Sequence, residues 1–226
     1  MTFKALIFDM DGTLLNNMHI HNAIWSEYLC ERGIDLTPTE IGIRTASLPN
    51  PQIIRMFFGQ DLAHEEVLAM ATEKEDRYRA RLALGQIDPL PGLRDFLAQV
   101  DAAQLPRAVA SSASRVNLDF TLRALRLETF FHVEIASEDV QHGKPHPEPF
   151  LKAAERLGQA PADCLVFEDS PFGLEAAQRA GMRAVALTTS HTVDELAHFP
   201  HLLGRMADYR DLRLADVLAG RWTSGG

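Results

Sequence analysis

Five short runs constrain this chain more than any other feature: Ala5–Phe8, Arg107–Ala110, His132–Ala136, Leu165–Phe167 and Ala184–Leu187. Each is largely apolar, and none alternates apolar and polar residues as a half-exposed strand does. Each therefore reads as a strand covered on both faces. Between them lie patterns of helical period. Leu93–Ala103 follows Pro91-Gly92, and Asn117–Arg126 places Leu118, Thr121, Leu122 and Leu125 on one face. Pro147–Leu157 ends at Gly158, and Phe172–Ala180 follows Ser170-Pro171 and ends at Gly181, the form of an N-cap, a first-turn proline and a terminal glycine. Strands alternating with helices in this way predict βαβ units, a mostly parallel sheet and an α/β fold.

Residues 18 to 84 break the rhythm, because only helical signals occur there. His19–Arg32 stops at Gly33, Thr37-Pro38-Thr39-Glu40 has the form of a capping box, and Gln52–Phe58 ends at Gly59. His64–Leu84 is a long amphipathic pattern, with Glu73 and Arg77, then Glu75 and Arg79, spaced as solvent-facing ion pairs. A helical block is thus inserted after the first strand. Asn16-Asn17 and the stiff Asp88–Gly92 segment are its crossing points, and an insertion entered and left at adjacent points can rock as a lid. The tail Thr223–Gly226 is expected to fray.

In an open parallel sheet, ligands bind beyond the carboxyl ends of the strands. Asp9 and Asp11 follow the first run, Ser111 and Ser112 the second, Gly143-Lys144-Pro145 lies beyond the third, and Glu168 and Asp169 close the fourth. Two aspartates one residue apart at the end of a buried strand should repel each other and resist desolvation. A divalent cation held by Asp9 and Asp169 removes that difficulty, since carboxylates from two strands form a hard-oxygen site suited to Mg²⁺. A serine hydroxyl and a lysine beside it suit phosphate oxygens. An aspartate next to a bound phosphoryl group can attack phosphorus, and a second carboxylate can move the proton.

Composition narrows the partners. The net charge of -9 argues against a nucleic-acid-binding face. Cys30 and Cys164 match no metal or redox spacing and read as inert thiols of a reducing compartment. The opening MTFKALIFD lacks the apolar run of a signal peptide, and no stretch reaches the roughly 20 apolar residues of a membrane span, so a cytoplasmic location is expected. His142, His146, His191, His198 and His201 show no ligand spacing.

DMDGTL, followed in order by VASS, GKPHP and FEDS, resembles the haloacid dehalogenase superfamily of phosphohydrolases, and most closely its β-phosphoglucomutase-like branch. The resemblance spans nearly the whole chain. It implies a three-layer Rossmann-like parallel-sheet core over residues 1–16 and 89–226, with an inserted all-α cap domain over 17–88. It also implies Asp9 as nucleophile and metal ligand, and Asp11 as acid/base with its backbone carbonyl on Mg²⁺. Ser111 and Lys144 would hold the phosphoryl oxygens. Asp169 would complete the metal site, with Glu168 as a direct or water-mediated ligand. In the cap, His21 and Lys74 match residues that reach the acid/base aspartate or the substrate in relatives, and Arg44 is a further candidate. Asn16-Asn17 departs from the aspartate-serine or aspartate-threonine pair usual after DGTL, so no relative's substrate transfers directly. The expectation is a monomeric Mg²⁺-dependent phosphatase of a small, sugar-like phosphate ester, with no nucleic-acid or membrane partner. A phosphomutase using the same aspartyl-phosphate is the alternative, and a phospho-accepting signalling receiver a remote one.

Overall fold

Six parallel strands form one sheet in the order β3-β2-β1-β4-β5-β6 in the structure, a computed structural model that describes residues 3–45, 48–85 and 87–222. The strands are β1 (Ala5–Phe8), β2 (Arg107–Ala110), β3 (Val133–Ile135), β4 (Cys164–Glu168), β5 (Arg183–Leu187) and β6 (Leu202–Met206). The five expected strands are all present, β1 and β2 with the expected bounds and the others with ends shifted by one residue. β6 escapes the sequence reading because Gly204 and Arg205 interrupt its apolar run. It lies at the sheet edge, and all five of its residues are only partly buried, so nothing forces a continuous apolar pattern there. The tail Thr223–Gly226 lies outside the described residues.

The chain divides into two compact units, one comprising Met1–Asn16 and Asp88–Gly226, the other Asn17–Ile87. The first carries the sheet with α5 (Leu93–Ala102), α6 (Arg115–Ala124), α7 (Glu148–Arg156), α8 (Pro171–Arg179) and the short α9 (Leu214–Leu218), this last also unanticipated. One face of the sheet presents Ala5 and Ile7 of β1 and Val166 of β4 to Phe150 and Ala153 of α7 and to Leu174 and Ala177 of α8. The other presents Phe8 and Phe167, stacked at 4.8 Å between ring centroids, to Phe96 of α5 and Tyr209. All four rings are buried, and burying one contributes about 1.5–3 kcal/mol. Leu90 donates its backbone N–H to Leu14 at 2.8 Å, so the point where the chain leaves this unit and the point where it returns are pinned together.

The regular elements among the described residues of the second unit are the helices α1 (Met18–Cys30), α2 (Pro38–Thr45), α3 (Asn50–Phe58) and α4 (His64–Leu84). Its own core is built from Trp25, Tyr28, Leu29, Ile41, Ile53, Ile54 and Val67. The capping box forms: Thr37 N–H donates to Glu40 at 2.9 Å and Glu40 N–H to the Thr37 hydroxyl at 3.2 Å. Glu73 pairs with Arg77 at 2.8 Å as its spacing predicts. Glu75 does not lie on the solvent face expected for it. Its carboxylate is turned inward onto Lys74, and Arg79 pairs with Asp76.

Candidate active site

β1 lies at the switch point of the sheet, where the chain runs outward to β2 and β3 on one side and then to β4, β5 and β6 on the other. Ligands of such sheets collect in the crevice this reversal opens. In register Phe8 faces Phe167, and Asp9 N–H donates to Phe167 C=O at 2.9 Å, so the residues just past both strands emerge side by side. The carboxylates of Asp9, Glu168 and Asp169 offer oxygens within 4.8 Å of one another, and all three side chains are buried. Lys144 reaches into this group from the loop before α7, donating to Asp9 Oδ1 at 2.6 Å and to Glu168 Oε2 at 2.8 Å.

Two glycines allow the crowding. Gly12 has a φ of 83°, a left-handed turn conformation that a side chain resists, and a Cβ there would run into the Asp169 carboxylate. At Gly173, in the first turn of α8, a Cβ would strike Glu168. Glu168 uses that space to accept hydrogen bonds from Asp169 N–H at 3.1 Å, Ser170 N–H at 3.0 Å and the Ser170 hydroxyl at 2.8 Å. The Ser170 hydroxyl in turn accepts from Gly173 N–H at 3.1 Å, so this serine is the helix cap its position suggests. Carboxylates at a helix N-terminus are favoured by its exposed N–H groups and dipole.

Charge in this cluster does not balance. Three carboxylates face one ammonium, an excess of two negative charges in a buried place. Burial, then the charge of Glu168, pushes the Asp9 carboxyl up to about 7, with Lys144 working against the rise. Burial and the charges of Glu168 and Asp9 likewise raise Asp169 well above the ordinary range. The Lys144 ammonium would be disfavoured by burial, but Asp9 and Glu168 more than compensate and raise its pKa. An all-oxygen donor set with a surplus of two negative charges fits a divalent cation, and the unsubstituted Gly12 and Gly173 leave the carboxylates room to converge.

The remaining candidates separate by place. Asp11 is half-buried beyond the end of β1, in the turn closed by Gly12 N–H to Leu15 C=O at 2.8 Å, and its charge adds to the rise of Asp9. Ser111 is buried after β2, its hydroxyl accepting from Ala113 N–H at 3.0 Å, whereas Ser112 is exposed. Asp9, Asp11, Ser111, Lys144, Glu168 and Asp169 all belong to the sheet-bearing unit, while His21 and Lys74 belong to the helical one. There the structure brings those two together: Lys74 is 1 % exposed, with its ammonium 2.6 Å from His21 Nδ1 and 2.8 Å from Glu75 Oε1. Asn50 donates to the same Glu75 oxygen at 2.5 Å. The Tyr78 ring stacks on His21 at 3.9 Å and its hydroxyl accepts from Asn17 at 2.5 Å. Arg44 is exposed at the end of α2. Asn17 thus anchors the aromatic partner of His21.

Sequence reasoning missed the loop after β5. Thr189 donates its hydroxyl to Gly12 C=O at 2.5 Å, and the buried Ser190 hydroxyl crowds the same spot beside Asp169. Tyr209 donates to Thr13 C=O at 3.2 Å and braces the turn from below. The signal was available, because Thr189 and Ser190 follow the fifth strand just as the other candidates follow the first four.

A Rossmann-like sheet that gathers three carboxylates, a lysine and a serine at its switch point has the form of an α/β enzyme working on an anionic substrate with a cation's help. The haloacid dehalogenase-like hydrolase family matches residues 6–187, and the chain belongs to that family. It is 34% identical over 183 residues to fructose-1-phosphate phosphatase YqaB of Escherichia coli, covering 81% of this chain and 95% of that protein. The crystal structure of a family IA, variant 3 hydrolase from Entamoeba histolytica superimposes with a TM-score of 0.89 at 25% identity, over 96% of this chain and 98% of the other. CbbY from Rhodobacter sphaeroides, solved in complex with xylulose-(1,5)bisphosphate, superimposes with a TM-score of 0.81 at 27% identity, over 94% and 98% of the two chains. Among the described residues no helix is long and apolar enough to cross a membrane.

Proposed function

We propose that this protein is a Mg²⁺-dependent phosphatase that hydrolyses a small, sugar-like phosphate monoester through an aspartyl-phosphate on Asp9. The observation that carries this reading is the unbalanced cluster of Asp9, Glu168 and Asp169 around Lys144. The similarity to a fructose-1-phosphate phosphatase and to a protein solved with a sugar bisphosphate supports the substrate class.

A bound Mg²⁺ would be held by Asp9, Asp169, the Asp11 carbonyl and Glu168, and would neutralise charge between the carboxylates and the phosphoryl group. A carboxylate oxygen of Asp9 attacks phosphorus, the bond from phosphorus to the ester oxygen breaks, and the Asp11 carboxyl gives its proton to the departing alkoxide. Lys144 and the Ser111 hydroxyl hold the phosphoryl oxygens in line. Asp11, now a carboxylate, takes a proton from water as that water attacks the phosphorus of the acyl-phosphate. Inorganic phosphate leaves and Asp9 is restored. The helical unit is assigned the role of a specificity-determining cap, with His21 and Lys74 as its substrate contacts.

A screen of phosphate esters with Mg²⁺, reading phosphate release, tests the assignment. Release from at least one sugar phosphate, lost on chelation and in Asp9→Asn, is expected. Release that persists in Asp9→Asn would remove the nucleophile. The buried Lys74–His21 pair favours a phosphomutase as second reading, since polar groups placed against a sugar can present its hydroxyl in place of water. Incubation with a hexose 1-phosphate and a trace of bisphosphate decides: hexose 6-phosphate without free phosphate supports the mutase.

A further inference from the structure

The loop that delivers Lys144 carries a second cluster of ligand-type side chains, one that sequence spacing does not reveal. His142, His146 and Glu148 each offer an atom within 4.8 Å of the others. His142 Nδ1 lies 3.2 Å from Glu148 Oε2, and His146 Nδ1 lies 3.9 Å from the same oxygen. Two ligands on one tetrahedral zinc, with bonds of about 2.0–2.1 Å, stand about 3.4 Å apart. The two separations from Glu148 lie on either side of that value and the two histidines offer atoms within 4.8 Å of each other, so side-chain rotations are what would bring all three onto one ion.

The cluster is also held in shape. Glu148 accepts backbone N–H groups from Gln141 at 2.8 Å and His142 at 3.0 Å, which fix its carboxylate in the loop. Glu148 N–H donates to His146 Nδ1 at 3.3 Å, a bond that ties the ring to the first turn of α7 and that the ring gives up on turning to an ion. The two imidazole rings sit 4.7 Å apart, and Pro145 and Pro147 fix φ on either side of His146. Both histidines are about half-exposed, so an ion can enter from solvent and a water can take the fourth position.

We propose that His142, His146 and Glu148 form a Zn²⁺ site separate from the acidic centre. The two sites differ in the ions they prefer. Three carboxylates select a hard cation such as Mg²⁺, whereas two imidazoles and one carboxylate suit Zn²⁺ and its neighbours. Lys144 stands between the two histidines in the chain, so the loop closing on zinc is the loop that bears the proposed phosphate-binding lysine.

Calorimetric titration of the full chain with ZnCl₂, in a large excess of Mg²⁺ to fill the acidic centre, tests this. One Zn²⁺ per chain is expected. His142→Ala and His146→Ala should each weaken binding by at least about tenfold, since even the loss of a residue that only supports a metal ligand costs that much. Asp169→Asn should leave the isotherm unchanged. Equal binding by the wild type and the doubly substituted H142A/H146A chain would overturn the proposal, as would no binding at all by the wild type. Loss of zinc binding in Asp169→Asn would place the ion in the acidic centre and overturn it equally. Melting curves in chelator confirm that the histidine variants, altered at half-exposed positions, and Asp169→Asn, altered at a buried one, remain folded.

Discussion

Each unit of this protein buries a lysine, and the two lysines live in opposite electrostatic circumstances. In the sheet-bearing unit Lys144 faces Asp9, Glu168 and Asp169, and the charge of the group stays negative. In the helical unit Lys74 lies against one carboxylate, Glu75, and one imidazole, His21, so its charge and that of Glu75 offset each other. Burying an unpaired charge is expensive, while a buried pair with good geometry holds its own. The unbalanced cluster is therefore where the proposed cation and substrate belong, and the balanced one holds His21 and Lys74, the proposed cap contacts, in place. Neutralising one carboxylate should then have opposite effects in the two units.

The largest effect tests the chemistry of the unbalanced side. Asp9→Asn should lower kcat by at least about a thousandfold, as loss of a nucleophile does, while the variant keeps its fold in circular dichroism. Next comes the balanced side. Burial alone would raise the Glu75 carboxyl, but the Lys74 ammonium, with His21 and Asn50 behind it, holds it down at about 2. A folded pKa below the unfolded value gives stability that is present above about pH 4.5 and lost as pH falls toward 2. Glu75→Gln should thus cost on the order of 2–3 kcal/mol at pH 7, and its deficit against wild type should shrink as acid removes the pair from the wild type. Urea melts at pH 7 and pH 3 check this, and a constant deficit would show that the pair is not what stabilises.

Ser111→Ala should reduce kcat/KM about 10–100-fold by removing one donor to the phosphoryl group, with little change in melting temperature. The smallest effect has the reverse sign to that of Glu75→Gln. In chelator, Asp169→Asn should stabilise the chain by about 1–2 kcal/mol, read as a melting temperature higher by about 2–8 °C, because one of three crowded charges is gone. Adding Mg²⁺ should raise the melting temperature of the wild type and not of this variant. A destabilised Asp169→Asn in chelator would break the contrast between the two lysines.

The two units also differed in how far the sequence could be read. Strand ends line up by backbone register, so residues at or just past the ends of β1, β2 and β4 fall on the same edge, and Asp9, Ser111, Glu168 and Asp169 could be gathered from pattern alone. The loop after β5 obeys the same rule, and places Thr189 and Ser190 against Gly12 on that edge. β6 lacked a pattern because a partly covered edge strand needs none. The helical unit gave no such leverage. Lys74 sits in a run of charges that spacing assigns to solvent, and only the rotation of α4 against Trp25 and Tyr28 turns it inward. The meeting of Glu75 and Asn50 depends on two helices whose contact no spacing encodes. The cluster of His142, His146 and Glu148 depends on a loop whose shape the sequence does not show either.

The central claim is that Asp9 takes the phosphoryl group and Asp11 releases it. Asp11→Asn should still be phosphorylated but slow to hydrolyse. The direct measurement is peptide mass spectrometry of this variant, acid-quenched during turnover of a phosphate ester with Mg²⁺. A phosphoryl group on the peptide containing Asp9, absent when Asp9 is also changed to Asn, is the predicted result. An unmodified peptide during undiminished turnover would contradict it.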